Sequence, residues 1–549
     1  MGKFASRVTP AGSSAPADHE LGTNGPVRLP GLSSVDEYLR TYAESQGNVI
    51  ALSTDQVSHS YAQLGHLVDQ YAAALTAAGV RQGDVVGVLG HSQPDCFQVF
   101  LACCRIGSVY LGLNPKYSER EFLYVLRDGQ PRVIFVFQGE ENTDYVSRFA
   151  RAARQCSHIQ SVIVDRPFQQ KSWRELDDFL TSPTVADSGH LSVGDPNQPA
   201  AIVYTSGSTG QPKGALLSQT GMVRTALLSW EHWYGGLTRP QTIAQHPINH
   251  VGWLVCECVS TLVAGGTTHF RERFDAAATW RLIEAKQIDL WIAFPAMVML
   301  AMAEPEFETT DLSSLRRLAL GSSPSVTMLE RFAQRSTATC CVSYGLTEAS
   351  GGALTVTGAD DSFETIATTM GTALPGVELR LAAQTDGPPN TGEILVRDPS
   401  VFLGYLNRPE GSADVIDSDG WLHTGDVATR RADGRLKLVG RTQEMFKSGG
   451  YNVYPAEVES VLETYPEVRT CAVVGVPHAT WGEVGIAFVV VTDTSAVNAG
   501  DLRTYAREHL ANYKIPKHWE FVGALPHLGN GKVDKVELRS RAHGMGGIS

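Results

Sequence analysis

The sequence predicts an α/β protein with a large N-terminal domain of parallel α/β sheets, a small β-rich subdomain and a small α+β C-terminal domain. Three observations support this prediction. Strand-like and helix-like segments alternate through the first part of the chain, which is typical of parallel sheets covered by helices. A chain of 549 residues is longer than one hydrophobic core usually supports. The hydrophobic pattern also changes twice, near Gly371 and after Gly440.

The α/β part of the chain is predicted from hydrophobic periodicity. Apolar residues recur at helical spacing in several windows, and each window is followed by a short apolar run rich in β-branched residues. The predicted helices cover residues 64–80, 97–106, 119–126 and 280–285, and the predicted strands cover residues 85–89, 109–113, 133–137 and 290–293.

Two further regions have different patterns. Residues 371–406 contain short strands separated by Gly and Pro turns, which predicts the β-rich subdomain. After Gly440 a compact α+β unit is predicted, with helices over 456–463 and 501–509 and strands over 471–476, 486–491 and 521–522. Residues 1–30 are rich in Ala, Ser, Gly and Pro, so we expect a disordered tail. The predicted domains are therefore 1–30, 31–440 and 441–549.

The composition excludes several classes of protein. A net charge of −13 and the lack of a basic run with interleaved aromatics argue against nucleic-acid binding. Residues 1–28 lack the apolar segment of a secretory signal. The longest apolar run, residues 290–303, has the length of a buried core helix and is interrupted by Pro295, so no membrane insertion is expected. We expect a cytoplasmic protein whose nine cysteines are reduced and mostly buried; its oligomeric state is left open.

A loop rich in hydroxyl residues and glycine predicts a phosphate-binding site. Residues 204–214 read YTSGSTGQPKG and directly follow an apolar, strand-like run. Glycines allow close approach of backbone N–H groups to oxyanions, while hydroxyls and lysine add donors and charge. The residues concerned are Thr205, Ser206, Gly207, Ser208, Thr209, Gly210 and Lys213. The loop is not a Walker loop, because no Gly-Lys pair is followed by Ser or Thr, and its apolar flanks disfavour a flexible linker.

Five further motifs follow the loop in the chain. They are YGLTE at 344–348, GEILVRDPSVFLGYL at 392–406, GWLHTGD at 420–426, GRTQEMFKSGGYNVYPAEVE at 440–459 and GNGKVDK at 529–535. In these motifs and their order, the chain resembles the adenylate-forming superfamily, which includes acyl-CoA synthetases, aryl-CoA ligases, nonribosomal adenylation domains and luciferases. The resemblance extends from about residue 34 to the end of the last motif.

The resemblance implies a two-step reaction. ATP activates a carboxylic acid to an acyl-AMP with release of pyrophosphate, and the acyl group then forms a thioester with CoA. The implied cofactors are ATP and Mg²⁺, with CoA as acceptor. The resemblance also implies that the C-terminal domain is mobile and rotates about a hinge at residues 441–444. Gln443 departs from the family, which usually has Asp or Lys there; a hinge needs soft torsions rather than a charge, so rotation is still expected.

By the same resemblance, individual residues receive roles. Lys532 bridges the carboxylate and the α-phosphate, Thr347 donates to the α-phosphate, and Glu348 binds Mg²⁺, which prefers hard oxygen ligands. Tyr344 and Gly345 lie on the adenine, and Asp426 and Arg441 bind the ribose. After domain rotation, the loop with Lys447, Gly449 and Gly450 lines the channel for the CoA arm; a tight turn before the next helix is the simpler alternative.

The acyl pocket is expected to be lined by residues 246–253, 293–299, 321–325 and 344–346. Asn249 replaces the aromatic residue that the family usually has before His250, and Ser322 replaces a glycine. The predicted lining residues are His246, Asn249, Trp253, Phe294, Met297, Gly321, Ser322 and Ser323. They favour an aryl, cinnamate-like or short polar-substituted acid over a long-chain fatty acid. His250 is a candidate general base or donor to the carboxylate, or a structural histidine.

Other functions remain open at this stage. The enzyme could adenylate without making a CoA product, by loading a carrier protein, releasing acyl-AMP, or activating an unusual oxyacid such as nitrite for N–N bond formation. Amino-acid activation is disfavoured, because no acidic residue is evident near residues 246–250 to hold an α-ammonium group. A catalytically silent nucleotide-binding protein is a further alternative, which the joint presence of Lys532, Asp426 and Glu348 disfavours.

Overall fold

A computed structural model describes residues 29–139, 144–168, 172–181, 194–205, 212–383, 389–478, 480–492, 497–527 and 533–544. In chain order, its first elements are α1 (Val35–Ser45), β1 (Ile50–Ser53), β2 (Ser58–Ser60), α2 (Tyr61–Ala77), β3 (Val85–Leu89), α3 (Pro94–Ile106), β4 (Val109–Leu113), α4 (Glu119–Gly129), β5 (Val133–Val136), α5 (Asp144–Ala153), β6 (Ser161–Val164), β7 (Arg174–Glu175) and α6 (Leu176–Thr181).

The middle of the chain adds β8 (Pro199–Thr205), β9 (Lys213–Ser218), α7 (Gln219–Leu228), β10 (Gln241–Ala244), α8 (Ser260–Val263), β11 (Thr267–Phe270), α9 (Ala276–Ala285), β12 (Leu290–Ala293), α10 (Pro295–Met302), α11 (Glu306–Thr309), β13 (Arg317–Leu320), α12 (Val326–Ala333) and β14 (Thr339–Tyr344). Two π-helical segments, Ser229–Trp233 and Gly252–Val259, precede β10 and α8.

The last part contains β15 (Thr355–Val356), α13 (Phe363–Thr368), β16 (Thr372–Ala373), β17 (Glu378–Ala383), β18 (Thr391–Arg397), α14 (Pro409–Ala413), β19 (Leu422–Arg430), β20 (Leu436–Arg441), β21 (Phe446–Ser448), β22 (Tyr451–Val453), α15 (Pro455–Leu462), β23 (Val468–His478), β24 (Gly482–Val491), α16 (Ala499–His509), β25 (His518–Phe521) and α17 (Lys535–Gly544).

Local sequence explains where several helices begin. Ser34, Ser60 and Ser118 precede α1, α2 and α4, and each side chain accepts a hydrogen bond from the backbone N–H three residues later. In all three cases the Glu or Gln at that later position bonds back to the serine N–H. These capping boxes satisfy backbone donors that the first turn of a helix leaves unpaired.

Two large sheets form the main body of the protein. The first has seven strands in the order β7-β6-β5-β3-β4-β8-β9, parallel except for the antiparallel pair β8–β9. The second has nine strands in the order β16-β15-β14-β13-β12-β10-β11-β1-β2 and is parallel from β14 to β1. The two sheets share one hydrophobic core. Helix α3 is buried along almost its whole length in this core, as expected for a helix that is apolar on most of its surface.

Two smaller sheets follow. Strands β17 to β20 form a four-stranded antiparallel sheet, and β21 to β25 form a five-stranded sheet with α15, α16 and α17. The last sheet has its own core, whose buried members all lie between Phe446 and Ala542. The predicted fold class is thereby confirmed. The limits of the predicted domains and the hinge at 441–444 stay predictions, and the predicted tail at 1–30 lies almost wholly outside the described residues.

Most individual predicted elements occur in the structure, with limits that agree or differ by a few residues. The strands predicted at 85–89, 109–113 and 290–293 have the predicted limits. The apolar run 290–303 is interrupted at Pro295, as predicted. Pro295 begins α10 directly after β12, and Met299 and Leu300 are more than half exposed. All nine cysteines are free and buried, as predicted. Among the described residues, no helix has both the length and the apolar character that crossing a membrane requires.

Candidate active site

The predicted phosphate loop joins two paired strands. Strands β8 and β9 form an antiparallel hairpin in which Thr205 pairs with Lys213, so the two ends of the loop are held side by side. The Lys213 ammonium group lies 5.1 Å from the centroid of the Tyr405 ring, within the range of a cation–π contact. The other predicted loop residues, Ser206, Gly207, Ser208, Thr209 and Gly210, lie outside the described residues.

Tyr405 connects this lysine to the predicted metal-binding carboxylate. Its hydroxyl donates a hydrogen bond of 2.8 Å to Oε1 of Glu348, which lies beside Thr347 in a short 3-10 turn after β14. Burial, and then the charge of Glu348, raise the pKa of Tyr405, so its hydroxyl stays a neutral donor. Sequence reasoning did not select Tyr405, although it lies in one of the motifs that carried the resemblance.

The predicted ribose site is a compact network around Asp426. The Tyr344 hydroxyl donates to Asp426 Oδ2 at 2.8 Å, and Arg441 Nε lies 2.9 Å from Oδ1. Strands β19 and β20 place Asp426 directly opposite Arg441, which explains why these two motif residues meet. Asp426 is only 5% exposed. A carboxylate has about four acceptor positions, so it can still receive hydroxyl groups of a ligand.

Tyr344 therefore has a second role besides the predicted contact with adenine. Burial, followed by the charge of Asp426, raises the pKa of Tyr344 well above its usual value, so the phenol is a permanent donor to the carboxylate. The neighbouring Gly345 packs tightly, because an added Cβ would lie 1.9 Å from the carbonyl oxygen of Gly352.

The predicted acyl-pocket segments lie together at one edge of the nine-stranded sheet. Strands β10, β12, β13 and β14 are parallel neighbours, so their carboxyl ends meet at the same edge. Residues 246–253, 293–299, 321–325 and 344–346 begin at or just after these ends. This edge of a parallel α/β sheet is where ligands usually bind. A separate pocket of the described residues lies at the amino ends of β3, β4 and β8, and none of the predicted site residues lines it.

Phe294 is the central side chain of the pocket segments. Its ring packs edge-on against the imidazoles of His246 and His250, with centroid distances of 5.2 and 6.2 Å. An added Cβ at Gly321 would lie 3.0 Å from Phe294 Cε1, so the ring also covers this glycine. Phe294 is 37% exposed. The structure thus brings three predicted pocket residues into contact with one aromatic ring.

Other predicted pocket residues are placed differently. Trp253 is fully buried and donates from Nε1 to Ser92 Oγ at 2.9 Å. Met297 is half-buried against the core, while Ser322 and Ser323 are exposed. Asn249 donates to the hydroxyl of Tyr117 at 3.3 Å, and its Oδ1 is buried without a partner among the described residues. Their roles toward an acid stay predictions.

His250 has a defined orientation. Its Nδ1 accepts a hydrogen bond of 3.0 Å from the backbone N–H of Gly252. The neutral ring therefore carries its proton on Nε2, because the nitrogen that accepts a hydrogen bond holds the lone pair. Of the roles left open by the sequence, this geometry favours a donor to a carboxylate over a general base.

Glu257 is a buried carboxylate in the pocket region that sequence reasoning missed. It lies on the π-helical segment Gly252–Val259, is 0% exposed, and its Oε1 is 2.5 Å from His246 Nδ1. An acidic side chain is thus present beside residues 246–250, where the sequence showed none. The available signal was a single carboxylate in the apolar run GWLVCECVSTLV, because a buried acid requires a partner.

The predicted CoA-channel loop is a tight hairpin. Gly449 and Gly450 have φ of +59° and +86° and connect the paired residues Ser448 and Tyr451. Two positive φ values are typical of a two-residue hairpin turn, so a tight turn by itself explains why glycines occur at these two positions. Lys447 is exposed, and its backbone N–H donates to Glu483. Its contact with a thiol arm stays a prediction, and Lys532 lies outside the described residues.

The contacts among the motif residues fit an adenylate-forming enzyme. The sequence places a hydroxyl-rich loop between the paired strands β8 and β9, and the structure brings Tyr405 to Glu348 and Tyr344 to Asp426. The chain belongs to the AMP-binding enzyme family: the model of that family matches residues 39–406, and the model of its C-terminal domain matches residues 457–532.

Similar proteins cover nearly the whole chain. Feruloyl-CoA synthase of an Amycolatopsis species is 36% identical over 497 residues, 88% of this chain and 94% of the relative. Indoleacetate–CoA ligase of Aromatoleum aromaticum is 35% identical over 510 residues, 92% and 97% of the two chains. The solved structure of the amide bond synthetase McbA from Marinactinospora thermotolerans matches with a TM-score of 0.81 and 30% identity, over 92% of this chain and 99% of that one. The predicted class, an ATP-dependent, AMP-forming ligase, is confirmed.

The described residues fit a magnesium ion that is bound mainly by substrate. No group of three or more His, Cys, Asp and Glu side chains in the described part of the chain is placed to hold a metal. Mg²⁺ is commonly held by one or two carboxylates together with phosphates. Glu348 is half-buried, and its Oε2 receives no hydrogen bond from any residue that the structure describes. This oxygen is therefore available to a metal ion.

Glu348→Gln should raise the Mg²⁺ concentration needed for the half-maximal rate of pyrophosphate release. The amide keeps an oxygen for the Tyr405 hydroxyl but loses the charge that attracts the cation. Since loss of even an indirect partner costs about 10- to 100-fold in metal affinity, a shift of at least tenfold is expected, with partial recovery at high magnesium. Glu410→Gln, an exposed residue of α14, is the control. A wild-type magnesium response in the Glu348 variant would contradict the assignment.

Proposed function

We propose that this protein activates an aryl or cinnamate-like carboxylic acid with ATP and transfers the acyl group to the thiol of CoA. One observation carries the proposal. The Asp426 network and the contacts from Lys213 through Tyr405 to Glu348 converge on the two residues Tyr344 and Glu348, which lie within one pentapeptide that begins at the last residue of β14. A nucleotide held by both would have its phosphates beside the acyl pocket.

The first step joins the acid to the α-phosphate and releases pyrophosphate. Negative charge accumulates on the phosphorus oxygens in the transition state, so the site needs fixed donors and cations there. Lys213 at the end of β8–β9 supplies charge for the outgoing phosphates, and Thr347 and Lys532 act on the α-phosphate. When bound, Mg²⁺ neutralises and orients the phosphate oxygens. His250, with its proton on Nε2, orients the carboxylate of the acid.

Three features support an aryl acid. Phe294 presents a partly exposed aromatic ring at the pocket, and aromatic rings pack well in offset or edge-to-face contacts. His246 Nε2 and Asn249 Oδ1 are buried polar atoms that lack partners among the described residues, which suits a substituted acid better than an alkyl chain. Relatives that are 35–36% identical are named for feruloyl-CoA and indoleacetate.

An acid panel tests the proposal. With ATP, Mg²⁺ and CoA, cinnamic, benzoic and arylacetic acids should release pyrophosphate with kcat/KM values about tenfold or more above those of palmitate-like acids, because a polar, aromatic pocket leaves its buried polar groups unpaired against an alkyl chain. Free thiol should disappear in step with pyrophosphate. Long saturated acids as the best substrates would refute the aryl preference while leaving adenylation intact.

Transfer to CoA is proposed to follow a rotation of the C-terminal domain about residues 441–444. Arg441 is bound to Asp426, and the backbone N–H of Thr442 donates to Gly425 at 2.8 Å, so the hinge begins at the ribose site. Gln443 is exposed and uncharged, which leaves its torsions unrestrained by an ion pair. Rotation would exchange the Lys532 segment for the hairpin with Lys447 and Gly449.

A second candidate function is adenylation with a different acceptor. The similarity to an amide bond synthetase, at 30% identity over 92% of this chain, supports an amine as acceptor. The same acid panel separates the two. Pyrophosphate release that consumes no thiol, but yields an amide when a primary amine is added, would favour the second function. Thiol consumption without added amine favours CoA.

A further inference from the structure

His246 and Glu257 form a buried pair with an unusual number of hydrogen bonds to one carboxylate. Glu257 Oε2 accepts from the backbone N–H groups of Gln245 and His246, at 3.2 and 3.3 Å. Its Oε1 lies 2.5 Å from His246 Nδ1. The glutamate is 0% exposed and the histidine 6%. The carboxylate therefore fixes both the backbone after β10 and the orientation of the imidazole.

This arrangement determines which ring nitrogen of His246 carries the proton. An ionised carboxylate only accepts hydrogen bonds, so beside the Glu257 carboxylate Nδ1 of His246 is the donor and carries hydrogen. In the neutral ring Nε2 then holds a lone pair. Nε2 is buried and has no hydrogen-bond partner among the described residues. A buried acceptor without a partner is costly, and in a native protein it indicates a missing ligand or a functional role.

The ring that carries the unpartnered nitrogen contacts two residues of the acyl-pocket segments. The His246 ring centroid is 6.4 Å from that of His250 and 5.2 Å from that of Phe294. Phe294 is partly exposed and lies edge-on to the imidazole at 86°. The partly exposed Phe294 ring therefore separates the His246 imidazole from solvent on this side.

We propose that His246, held by Glu257, is a specificity-determining residue that accepts a hydrogen bond from a hydroxyl or amino substituent of the acid. The proposal rests on the proposed function, because it names the class of acid that the same site selects. The two histidines have complementary roles. His250 presents N–H to the carboxylate, and His246 presents a lone pair to a donor elsewhere on the molecule. Unsubstituted and alkyl acids leave Nε2 unpaired and are disfavoured.

The test compares kcat/KM for pyrophosphate release between matched acids. Hydroxy- and aminocinnamic acids, in their ortho, meta and para forms, are compared with unsubstituted cinnamic acid. In the wild type, kcat/KM for the best hydroxy- or aminocinnamic isomer should exceed kcat/KM for cinnamic acid by about 10- to 100-fold. This ratio is the range expected when a buried acceptor gains its partner. In His246→Leu this ratio should fall to about one or below. His66→Leu, at an exposed position of α2, is the control and should keep the wild-type ratio.

Glu257→Gln provides a sharper prediction. Two backbone N–H groups hold the oxygen at the position of Oε2, so the new amide NH₂ faces His246 Nδ1. The ring must then accept at Nδ1 and carry its proton on Nε2. The substrate preference should change from hydroxy- and aminocinnamic acids to cinnamic acids whose substituent only accepts hydrogen bonds, such as methoxy- or acetyl-substituted cinnamic acids. If Glu257 had only a structural role, the substitution would lower kcat/KM for all the acids to a similar extent.

The outcomes are distinguishable. A wild-type ratio retained in His246→Leu, with pyrophosphate release from aryl acids intact, overturns the role of His246 and leaves the proposed function standing. No pyrophosphate release from any aryl acid by the wild type overturns both. Loss of the ratio in His246→Leu together with the changed preference in Glu257→Gln supports the proposal. If Glu257→Gln does not fold, as judged by circular dichroism, the His246→Leu ratio alone decides.

Discussion

Lys532→Ala is expected to slow pyrophosphate release by about 100- to 1,000-fold, the usual cost of removing one donor aimed at the charge of a transition state. The lysine matches the family residue that bridges the carboxylate and the α-phosphate. Its contribution is made mainly in the transition state, so ATP should still bind with nearly unchanged affinity. The measurements are pyrophosphate release with the best acid of the panel and ATP binding by calorimetry.

Lys437→Ala is the matched control, because this lysine is exposed on β20 and lies outside all the motifs. It should retain the wild-type rate. Pyrophosphate release by the Lys532 variant within a few-fold of the wild type would remove Lys532 from the first half-reaction. Equal loss of ATP binding and of rate would instead indicate a ground-state contact with the nucleotide.

Asp426→Asn is expected to raise the KM for ATP by about 10- to 100-fold, because hydrogen bonds to a charged group contribute about 1.5–3 kcal/mol each. Both oxygens of Asp426 face donors, the Tyr344 hydroxyl and the Arg441 guanidinium. An amide has one oxygen and one NH₂, so one donor would face another donor inside a buried network. The ribose site would lose both charge and order.

A second measurement separates ribose binding from a purely structural role. If Asp426 binds the ribose hydroxyls, the preference of the wild type for ATP over 2′-deoxy-ATP should largely disappear in Asp426→Asn. Tyr344→Phe removes the hydroxyl but keeps the carboxylate and the ring, so this variant should retain the preference. An unchanged preference in Asp426→Asn would contradict the ribose assignment, whatever the effect on KM.

The linear sequence predicted most of the elements because their causes are local. Hydrophobic spacing over a few residues gave the limits of β3, β4 and β12, and Ser-x-x-Glu or Gln patterns explain the starts of α1, α2 and α4. The chain's class also followed from sequence, because each motif is a short segment whose residue types suit phosphate, ribose or metal. The division of the apolar run 290–303 was also local, because Pro295 separates the strand predicted over 290–293 from the following helix α10.

The amino-acid sequence by itself determined which chemistry is available: the hydroxyl-rich loop, Glu348, Asp426 and Lys532. Only the tertiary structure decided which groups meet. Tyr405 reaches Glu348 across 57 residues, and Tyr344 reaches Asp426 across 82. Trp253, expected as a pocket wall, is enclosed by the core, and Glu257 turns its carboxylate to His246. The physical reason is that burial and hydrogen-bond pairing are properties of packed surroundings, to which distant parts of the chain contribute.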